Sequence, residues 1–406
     1  MGGRAIMLLV VGFCVIFMVA ERNFNTTASA TVDNVVSYYN NAKAHYIADC
    51  GVNLVVNKLF LDATIVDQTY TWNFDGGTIS ASLLTLDHVL NTKQLLSTGT
   101  FSGVSNTIKI IFKPSLFSKY AYFSNSEGGT IYFVSTDTIW GPFHTNDNLN
   151  VQNNPVFFGK VSIGGSLNKN PSNSNPQFLG GFQTGIQISI PTSGVSTVQT
   201  AAATGGAVIT GQSLVYLEFR GDSIRYKYSA TGAYTYKLAS TFAPNGTISI
   251  ANAEVHLLGT VKGRYTVAVS GSSGNQGSVF LDNDIVYNTN PLTNPASTDM
   301  LGIVTQQNCW ITDNTNNNTN GINIQASIYC QSGSFGAQNY STRPIAGSIN
   351  LTGGIIQSIR GAVGTTSSGS INHGFNKRYR YDTRLLTSYP PSFPGCGTFE
   401  VVSWFE

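Results

Sequence analysis

The 406-residue sequence is poor in charge. Asp, Glu, Lys and Arg make up 10% of it, against roughly 25% in an average soluble protein. The 22 basic and 20 acidic residues leave a net charge of +2, which gives no electrostatic case for binding nucleic acid. Asn, Ser, Thr and 42 glycines replace the missing charge. This composition is typical of an extracellular, β-rich protein and unlike that of a cytosolic enzyme.

Cysteine is also scarce, with five residues in the chain. No C-x-x-C pair or His–Cys cluster occurs, so we expect neither a metal site nor a cofactor. Cys14 lies in an apolar run, which leaves four thiols for an oxidising compartment. Four cysteines allow three pairings. We favour one disulfide between Cys309 and Cys330, which would close an Asn/Thr-rich loop, and a second between Cys50 and Cys396.

Proline is absent from the first 61 residues, and Gly51 is the only glycine there after Gly12. The segment contains an uncharged apolar run, AIMLLVVGFCVIFMVA, at residues 5–20. A helix of this length covers about 24 Å, a little less than a hydrocarbon core of about 30 Å. We therefore interpret the run as an export or anchoring element.

Three interpretations of this run compete. A secretory signal peptide would use Arg4 as its basic region and Ala28-Ser29-Ala30 as an A-x-A cleavage site, although Ala30 lies ten residues after Ala20, beyond a mostly polar stretch. A plain anchor would end at the membrane. A long helix would continue as an amphipathic rod to about Leu61. The third fits the apolar residues that follow, which are spaced mostly by three and four: Val32, Val35, Val36, Tyr39, Ala42, Tyr46, Ile47, Cys50, Leu54, Leu59 and Leu61.

Residues 42–51, AKAHYIADCG, followed by Leu59, match the signature A-x-A-x-Y-x-A-(E/D)-x-G with a later leucine. In this signature the sequence resembles the N-terminal helix of type IV pilin-like proteins, of the large minor-pilin or pseudopilin type. The resemblance implies that a prepilin peptidase cuts after Gly3, just before the apolar run. The glutamate usual at the fifth mature position falls on Leu8, and the leader is only three residues long.

The resemblance also implies how the protein is used. A bacterial pilin-like subunit waits in the inner membrane and then joins an extracellular filament by packing its helix against copies of itself or other pilin-like subunits. We expect this packing to use apolar positions along the whole helix: Ala5, Leu8, Leu9, Val11, Phe13, Ile16, Phe17, Val36, Tyr39, Tyr46 and Leu54.

The remainder of the chain is predicted to be β-rich. Residues 62–139 contain alternating apolar segments, typical of strands packed on the helix. Residues 140–389 contain short apolar strands punctuated by Gly, Asn or Asp, which favours the stacked coils of a parallel β-helix. Because the repeat length is irregular, a β-sandwich is the alternative. We thus expect an α+β, mostly β chain with an assembly helix at 1–61 and a Pro-rich closing segment at 390–406.

Two motifs allow both a chemical and a structural interpretation. Residues 140–149, WGPFHTNDNL, offer His144 as a base with Asp147 as its partner, but a Gly-Pro turn with capping side chains is favoured because no nucleophile stands nearby. Residues 377–384, KRYRYDTR, alternate cations with tyrosines. They would bind an acidic glycan or nucleic acid, or form a strand in which arginine stacks on tyrosine and pairs with Asp382.

Two shorter motifs are interpreted as turns. Arg220-Gly221-Asp222 is predicted to close a hairpin and not to serve adhesion. Asp282-Asn283-Asp284 is also predicted to be a turn, with Ca²⁺ binding as the alternative. The segments 140–149, 298–304, 360–364 and 377–384 together resemble large, uncharacterised bacterial pilin-like surface proteins that carry a β-helical domain.

The sequence therefore predicts a non-enzymatic structural subunit of a type IV pilus-like filament or surface appendage. The alternative is a membrane-anchored adhesin or glycan-binding surface protein. A β-helical carbohydrate-active enzyme is the third hypothesis. It is disfavoured because such enzymes need clustered carboxylates and the 20 acidic residues are thinly spread. We predict no catalytic residue and no nucleic-acid partner.

Overall fold

The computed structural model describes four stretches of the chain: 2–87, 91–129, 131–367 and 370–406. They divide into two compact units. The helix unit comprises the described part of residues 1–114 together with Thr398–Glu406, and the ladder unit comprises Ser115–Gly397. The predicted segment 62–139 thus contributes to both units, and so does the predicted closing segment 390–406.

One long helix precedes a β-rich region, as the sequence predicts. In the described residues the helices are α1 Gly2–Leu61, α2 Gly194–Gly205, α3 Ala239–Phe242 and α4 Thr315–Asn320. Single turns of 3-10 helix occur at Phe117–Lys119 and Thr383–Leu386.

Strands make up most of the remaining regular structure. In chain order they are β1 Gln68–Phe74, β2 Gly77–Asp87, β3 Thr92–Phe101, β4 Val104–Leu116, β5 Tyr122–Ser126, β6 Thr138–Trp140, β7 Phe143–Thr145, β8 Leu149–Val151, β9 Val156–Phe157, β10 Val161–Ile163, β11 Leu167–Lys169, β12 Gln177–Phe178, β13 Phe182–Gln183, β14 Ala207–Ile209, β15 Leu214–Gly221, β16 Ser223–Lys227, β17 Thr235–Leu238, β18 Thr247–Ala251, β19 Glu254–Val261, β20 Arg264–Ser270, β21 Val279–Tyr287, β22 Met300–Thr305, β23 Cys309–Ile311, β24 Ile322–Cys330, β25 Phe335–Ala337, β26 Ile345–Ile359, β27 Gly364–Ser367, β28 Ser370–Arg380 and β29 Gly395–Phe405.

Helix α1 continues without a break through its polar middle. There Thr26 and Thr27 donate hydroxyl hydrogen bonds to the carbonyls of Arg22 (2.6 Å) and Asn23 (2.9 Å). Such back-bonding satisfies the hydroxyls within the helix and keeps them from competing for the backbone. With no proline to remove a donor, the helix runs to Leu61.

In the helix unit, the last part of α1 packs on a five-stranded sheet of order β1-β2-β3-β4-β29. Strands β1 to β4 pair antiparallel, and Asp75-Gly76 turns the β1–β2 hairpin with positive φ at both residues, the backbone that a two-residue hairpin loop requires. The helix buries residues spaced by one, three and four against the sheet: Ala44, Ile47, Ala48, Gly51, Val52, Val55 and Leu59.

Small residues bring helix and sheet close together. A Cβ atom at Gly99 of β3 would lie 2.2 Å from the carbonyl oxygen of Ala44, and one at Gly51 would lie 2.4 Å from Ser97 Oγ. The Ser97 hydroxyl donates to the Ala48 carbonyl at 2.7 Å. The backbone of α1 therefore rests directly on β3.

The ladder unit is built on a 22-stranded sheet in which most pairs are parallel. The first ladder has the order β14-β18-β20-β22-β24-β26-β5-β7-β10-β13. The second is β15-β19-β21-β23-β25. The third is β21-β24-β26-β28-β6-β9-β12. Strands β21, β24 and β26 each join two ladders.

Each ladder stacks like positions on like positions. Along the first ladder one buried apolar residue of each strand faces the main core, in register with the next: Ile248, Val267, Ile303, Ile328, Ile355, Tyr122, Phe143 and Val161. This row is the structural reason for the short apolar strands in the sequence, since none of them buries its face alone.

The opposite face of the first ladder is covered as well. Ala268, Val304, Tyr329, Ile356 and Phe123 form a second buried cluster there with apolar residues from outside the ladder: Val195 and Val198 of α2, Phe117, Tyr120 and Phe393. The segment that follows β13 and the Pro-rich stretch near the C-terminus thus seal this face against water.

The strand order places β5 beside β26, although the two are remote in sequence. We call the junction formed by the β26–β5 and β28–β6 pairs the seam. Two ion pairs cross it: Arg360 Nη1 lies 2.7 Å from Glu127 Oε2, and Lys377 Nζ lies 2.6 Å from Asp137 Oδ2. The side chains of Arg360 and Glu127 are 3% and 1% exposed. Buried charges of this kind need their partners.

All five cysteines are described, and all are free thiols. The predicted disulfides are therefore not formed in this structure. Cys309 of β23 and Cys330 of β24 lie in different ladders, where each fills the core as a small apolar side chain. Burial raises the pKa of Cys309 above its ordinary range and that of Cys330 to about 12. Cys50 belongs to the helix unit and Cys396 to the ladder unit.

Candidate assembly helix and surface grooves

The first part of α1 is bare. Every residue from 3 to 39 is exposed, including Leu8 at 74% and Phe17 at 70%. The helix is long and apolar enough over Gly3–Leu61 to cross a membrane, judged by length and composition. In water such an apolar surface is unfavourable, so this segment requires a bilayer or other protein around it.

The predicted interface residues all lie on α1 and are all exposed: Ala5, Leu8, Leu9, Val11, Phe13, Ile16, Phe17, Val36, Tyr39, Tyr46 and Leu54. Gly3 lies in the first turn of the same helix. Of the rod face predicted from periodicity, Ile47 and Leu59 are buried against the sheet, whereas Tyr46 and Leu54 remain exposed. The rod therefore has apolar residues on more than one face.

Sequence reasoning missed most of the sheet-facing stripe. Ala44, Ala48 and Gly51 are small, so a search for large apolar residues passes over them, yet they are where the backbone of α1 approaches the strands. The signal was present in the signature itself, whose alanine and glycine positions coincide with these three residues.

The 140–149 motif forms a strand and a turn. His144 is fully buried, with Nδ1 2.7 Å from Ser162 Oγ and Nε2 2.9 Å from Asn146 Oδ1. Burial lowers its pKa. Asp147 instead accepts hydrogen bonds from Ser126 Oγ and from backbone N–H groups. The base–partner pair of the enzyme hypothesis is thus not formed.

The two shorter motifs, residues 220–222 and 282–284, form contacts with other residues of the same chain. Arg220 and Ser223 pair across the β15–β16 hairpin, so Arg220-Gly221-Asp222 is the predicted turn. Asp282 accepts from Thr312 Oγ1 at 2.6 Å, and Asp284 accepts from the backbone N–H of Asn323 at 2.8 Å. Among the described residues, no group of three His, Cys, Asp or Glu side chains is arranged to hold a metal ion.

The 377–384 motif divides its cations between two environments. Lys377 is paired with Asp137 inside the seam, and burial lowers its pKa although Asp137 opposes the shift. Arg384 forms a fork with Asp382, its Nη2 2.6 Å from Oδ2 and its Nε 3.0 Å from Oδ1. Arg378 and Arg380, at the alternate positions of β28, are exposed.

Arg380 borders a groove of about 490 Å³ on the third ladder, which we call the Arg380 groove. Its guanidinium lies 5.5 Å from the centre of the Trp140 ring. Trp140 in turn stacks on Phe158, with ring centres 5.5 Å apart and planes 6° from parallel. The facing wall includes Pro291, Leu292 and Pro295.

A second groove, of about 500 Å³, lies on the second ladder beside His256. Tyr216 stacks on His256 at 4.5 Å. The imidazole is held between two carboxylates, with Nδ1 2.9 Å from Asp282 Oδ1 and Nε2 3.0 Å from Glu254 Oε1. Burial opposes protonation, but these two partners outweigh it and raise the pKa of His256. Both ring nitrogens of His256 are therefore occupied by carboxylate partners.

Comparison with known proteins gives sparse results. The family model described as a domain of unknown function (DUF4900) matches residues 91–166. No curated protein matches the chain. Among solved structures, the chain is similar to the competence-associated pilin ComZ from Thermus thermophilus, with 12% sequence identity and a TM-score of 0.35, over 90% of this chain and 97% of that one.

Proposed function

We propose that this protein is a structural, pilin-like subunit of an extracellular filament or surface appendage and that it assembles through α1. One observation carries the proposal: α1 is a single continuous helix whose last part packs on the sheet of the helix unit, while residues 3–39 stand exposed. The helix thus has one end fixed to a folded unit and one end available to other helices.

The energetics support assembly through the apolar end. Burying a large apolar side chain contributes about 1.5–3 kcal/mol. The exposed Leu8, Leu9, Val11, Phe13, Ile16 and Phe17 together would contribute on the order of 10 kcal/mol before entropic costs. A bilayer buries these apolar side chains before assembly, and the helices of neighbouring subunits bury them afterwards. We therefore infer an inner-membrane precursor, cleaved after Gly3, and a cell-surface product.

We also infer that the ladder unit is a parallel β-helix that decorates the outside of the filament. Parallel pairing, in-register apolar rows and strands shared between ladders support this architecture. A β-sandwich, the alternative from sequence, packs two antiparallel sheets face to face. Segments 62–139 and 140–389 remain our proposed division of the β-rich region in sequence.

The test is a matched pair of substitutions in the full chain. Leu9→Arg puts a charge in the apolar run and should lower the yield of sheared surface filaments more than tenfold, because a central arginine opposes both membrane insertion and helix packing. Val66→Arg, at a site outside α1 that is even more exposed than Leu9, should leave the yield unchanged. Filaments are measured by electron microscopy and immunoblotting.

N-terminal sequencing completes the test. A mature chain that begins at Arg4 and lies in filaments with its helices at the centre supports the proposal. A soluble, unassembled chain that begins at Thr31 would contradict it and would favour a cleaved signal peptide. The alternative function, a glycan-binding surface protein, is favoured by the Arg380 groove described above.

A further inference from the structure

We propose that the ladder unit binds acidic saccharides, chains of sugars that carry carboxylates, in the Arg380 groove. The inference concerns one face of the ladder unit and does not depend on filament assembly. It uses two motifs singled out in the sequence, 140–149 and 377–384, that the structural role of α1 leaves without a function.

Register brings the two motifs together. Arg380 of β28 pairs with Trp140 of β6, and Ile139 pairs with Phe157 of β9, so that Phe158 follows beside Trp140. One cation and two aromatic rings thus stand in a row on adjacent strands. Phe158 is 46% exposed, and Leu292 on the facing wall is 47% exposed. Apolar surface left open beside a cation is typical of a binding site.

The floor of the groove is backbone. Gly141 and Gly159 both line it, and a Cβ atom at Gly159 would lie 1.9 Å from the Gly141 carbonyl oxygen. The two backbone segments are therefore packed too closely to admit a side chain at Gly159. The volume of about 490 Å³ falls within the roughly 300–1,000 Å³ of small-molecule sites.

The unpaired charge in the groove determines which sign of charge its ligand should carry. Asp382 at its edge is already forked to Arg384, and Lys377 is already paired with Asp137. Among the described residues, no carboxylate lies within 4.0 Å of Arg380 or of its neighbour Arg378. The unpaired charge is therefore positive, and an arginine fork is suited to a carboxylate.

The aromatic rings of the groove, next to the Arg380 guanidinium, fit a sugar ring that carries a carboxylate. The C–H faces of a pyranose pack on aromatic rings, and its carboxylate can reach the adjacent guanidinium. The His256 groove has a similar volume and its own aromatic stack, but its His256, Asp282 and Glu254 bind one another. The imidazole is already held by the two carboxylates and is not available to an acidic ligand, and we assign this groove no ligand.

The experiment measures binding of hexagalacturonate to the full chain, solubilised in detergent, by titration calorimetry at low ionic strength. Arg380→Gln and Trp140→Ala should each weaken binding about tenfold or more, because each removes a charged hydrogen bond or an aromatic contact. Arg380→Lys should restore part of the loss. Tyr236→Ala and Arg220→Gln, exposed residues outside the groove, should bind like the parent chain.

Two control ligands test separately whether binding needs the charge and the sugar rings. Methyl-esterified hexagalacturonate, which keeps the rings and loses the charge, should bind at least tenfold more weakly, and polyglutamate, which keeps the charge and lacks the rings, should bind weakly too. Equal binding of either control overturns the proposal, as does equal binding of oligothymidylate. Absence of hexagalacturonate binding, or binding unchanged in Trp140→Ala, overturns it as well. Because unassembled protein is used, failure here leaves the filament proposal intact.

Discussion

The seam and the interior of the first ladder both pack parallel strands side by side, but the side chains in contact differ. Between β20, β22 and β24 the contacts are aliphatic, with Val267, Ile303 and Ile328 in register. At the seam the apolar row continues from Ile355 to Tyr122, but two buried ion pairs are added. Each of these interior neighbours is separated from the next by one other strand in the chain, whereas the seam neighbours β5 and β26 are separated by most of the strands.

The difference indicates where the register of paired strands has to be specified by side chains. Where only one strand and its loops separate two paired strands, the intervening chain already limits which register they adopt. Strands separated by most of the chain have no such guide, and a shift of one residue would turn every side chain to the other face. A buried ion pair makes wrong registers costly, because an unpaired charge is then left in the core. We infer that the seam ion pairs fix register more than they add stability.

The largest effect is expected from Arg360→Met. Glu127 would keep its charge without a cation while 1% exposed, so the free energy of unfolding of the ladder unit should fall by about 3–5 kcal/mol. Urea denaturation measures this loss. The double variant Arg360→Met with Glu127→Leu is the control and should recover most of it. A double variant as unstable as the single one would show that the pair contributes stability itself.

Lys377→Met should have a smaller effect on the same measurement. Asp137 loses its ion pair but still accepts a hydrogen bond from the backbone N–H of Val134 at 3.0 Å. We expect a loss of about 2–3 kcal/mol. If this variant were less stable than Arg360→Met, the ranking of the two seam pairs would be reversed.

In the ladder interior, Ile303→Val should cost only about 1 kcal/mol, the usual result of removing one buried methylene. Ile303 is fully buried and faces the main core. The substitution keeps the register and removes no charge partner. A loss as large as that of Arg360→Met would abolish the distinction between interior and seam.

The smallest expected effect is a pH dependence of stability, which arises from His256 on the second ladder. The pKa of His256 is raised in the folded chain by Asp282 and Glu254, so protonated His256 stabilises the fold below the unfolded pKa of about 6.5. This contribution should disappear as the pH rises through the folded pKa, above 6.5. Urea midpoints measured across this range should therefore decline with rising pH, and less so in His256→Gln.

Local features of the fold could be read from the sequence. The proline-free apolar start predicted α1, and the alternating apolar segments after residue 61 predicted strands, among which β1 and β2 form a hairpin. The buried stripe of α1 was harder, because apolar residues occur on several faces of the helix and the buried face includes the small residues Ala44, Ala48 and Gly51.

Features that depend on pairing at a distance could not be predicted. The sequence singled out both Trp140 and the 377–384 segment, but only the β28–β6 pairing places Arg380 beside Trp140. The cysteine pairings also depend on strand placement, which an even number of thiols does not reveal: Cys309 and Cys330 lie close enough to interact electrostatically, yet both are free thiols.

The seam also sets an order of events during biosynthesis. Arg360 and Glu127 are 233 positions apart, so β5 leaves the ribosome long before its neighbour β26 exists. Until then the early strands have an open edge, which is prone to pair with other chains. Translation of nearly the whole chain must therefore precede closure, and a truncation just before β26 should yield aggregates in place of a shorter folded protein.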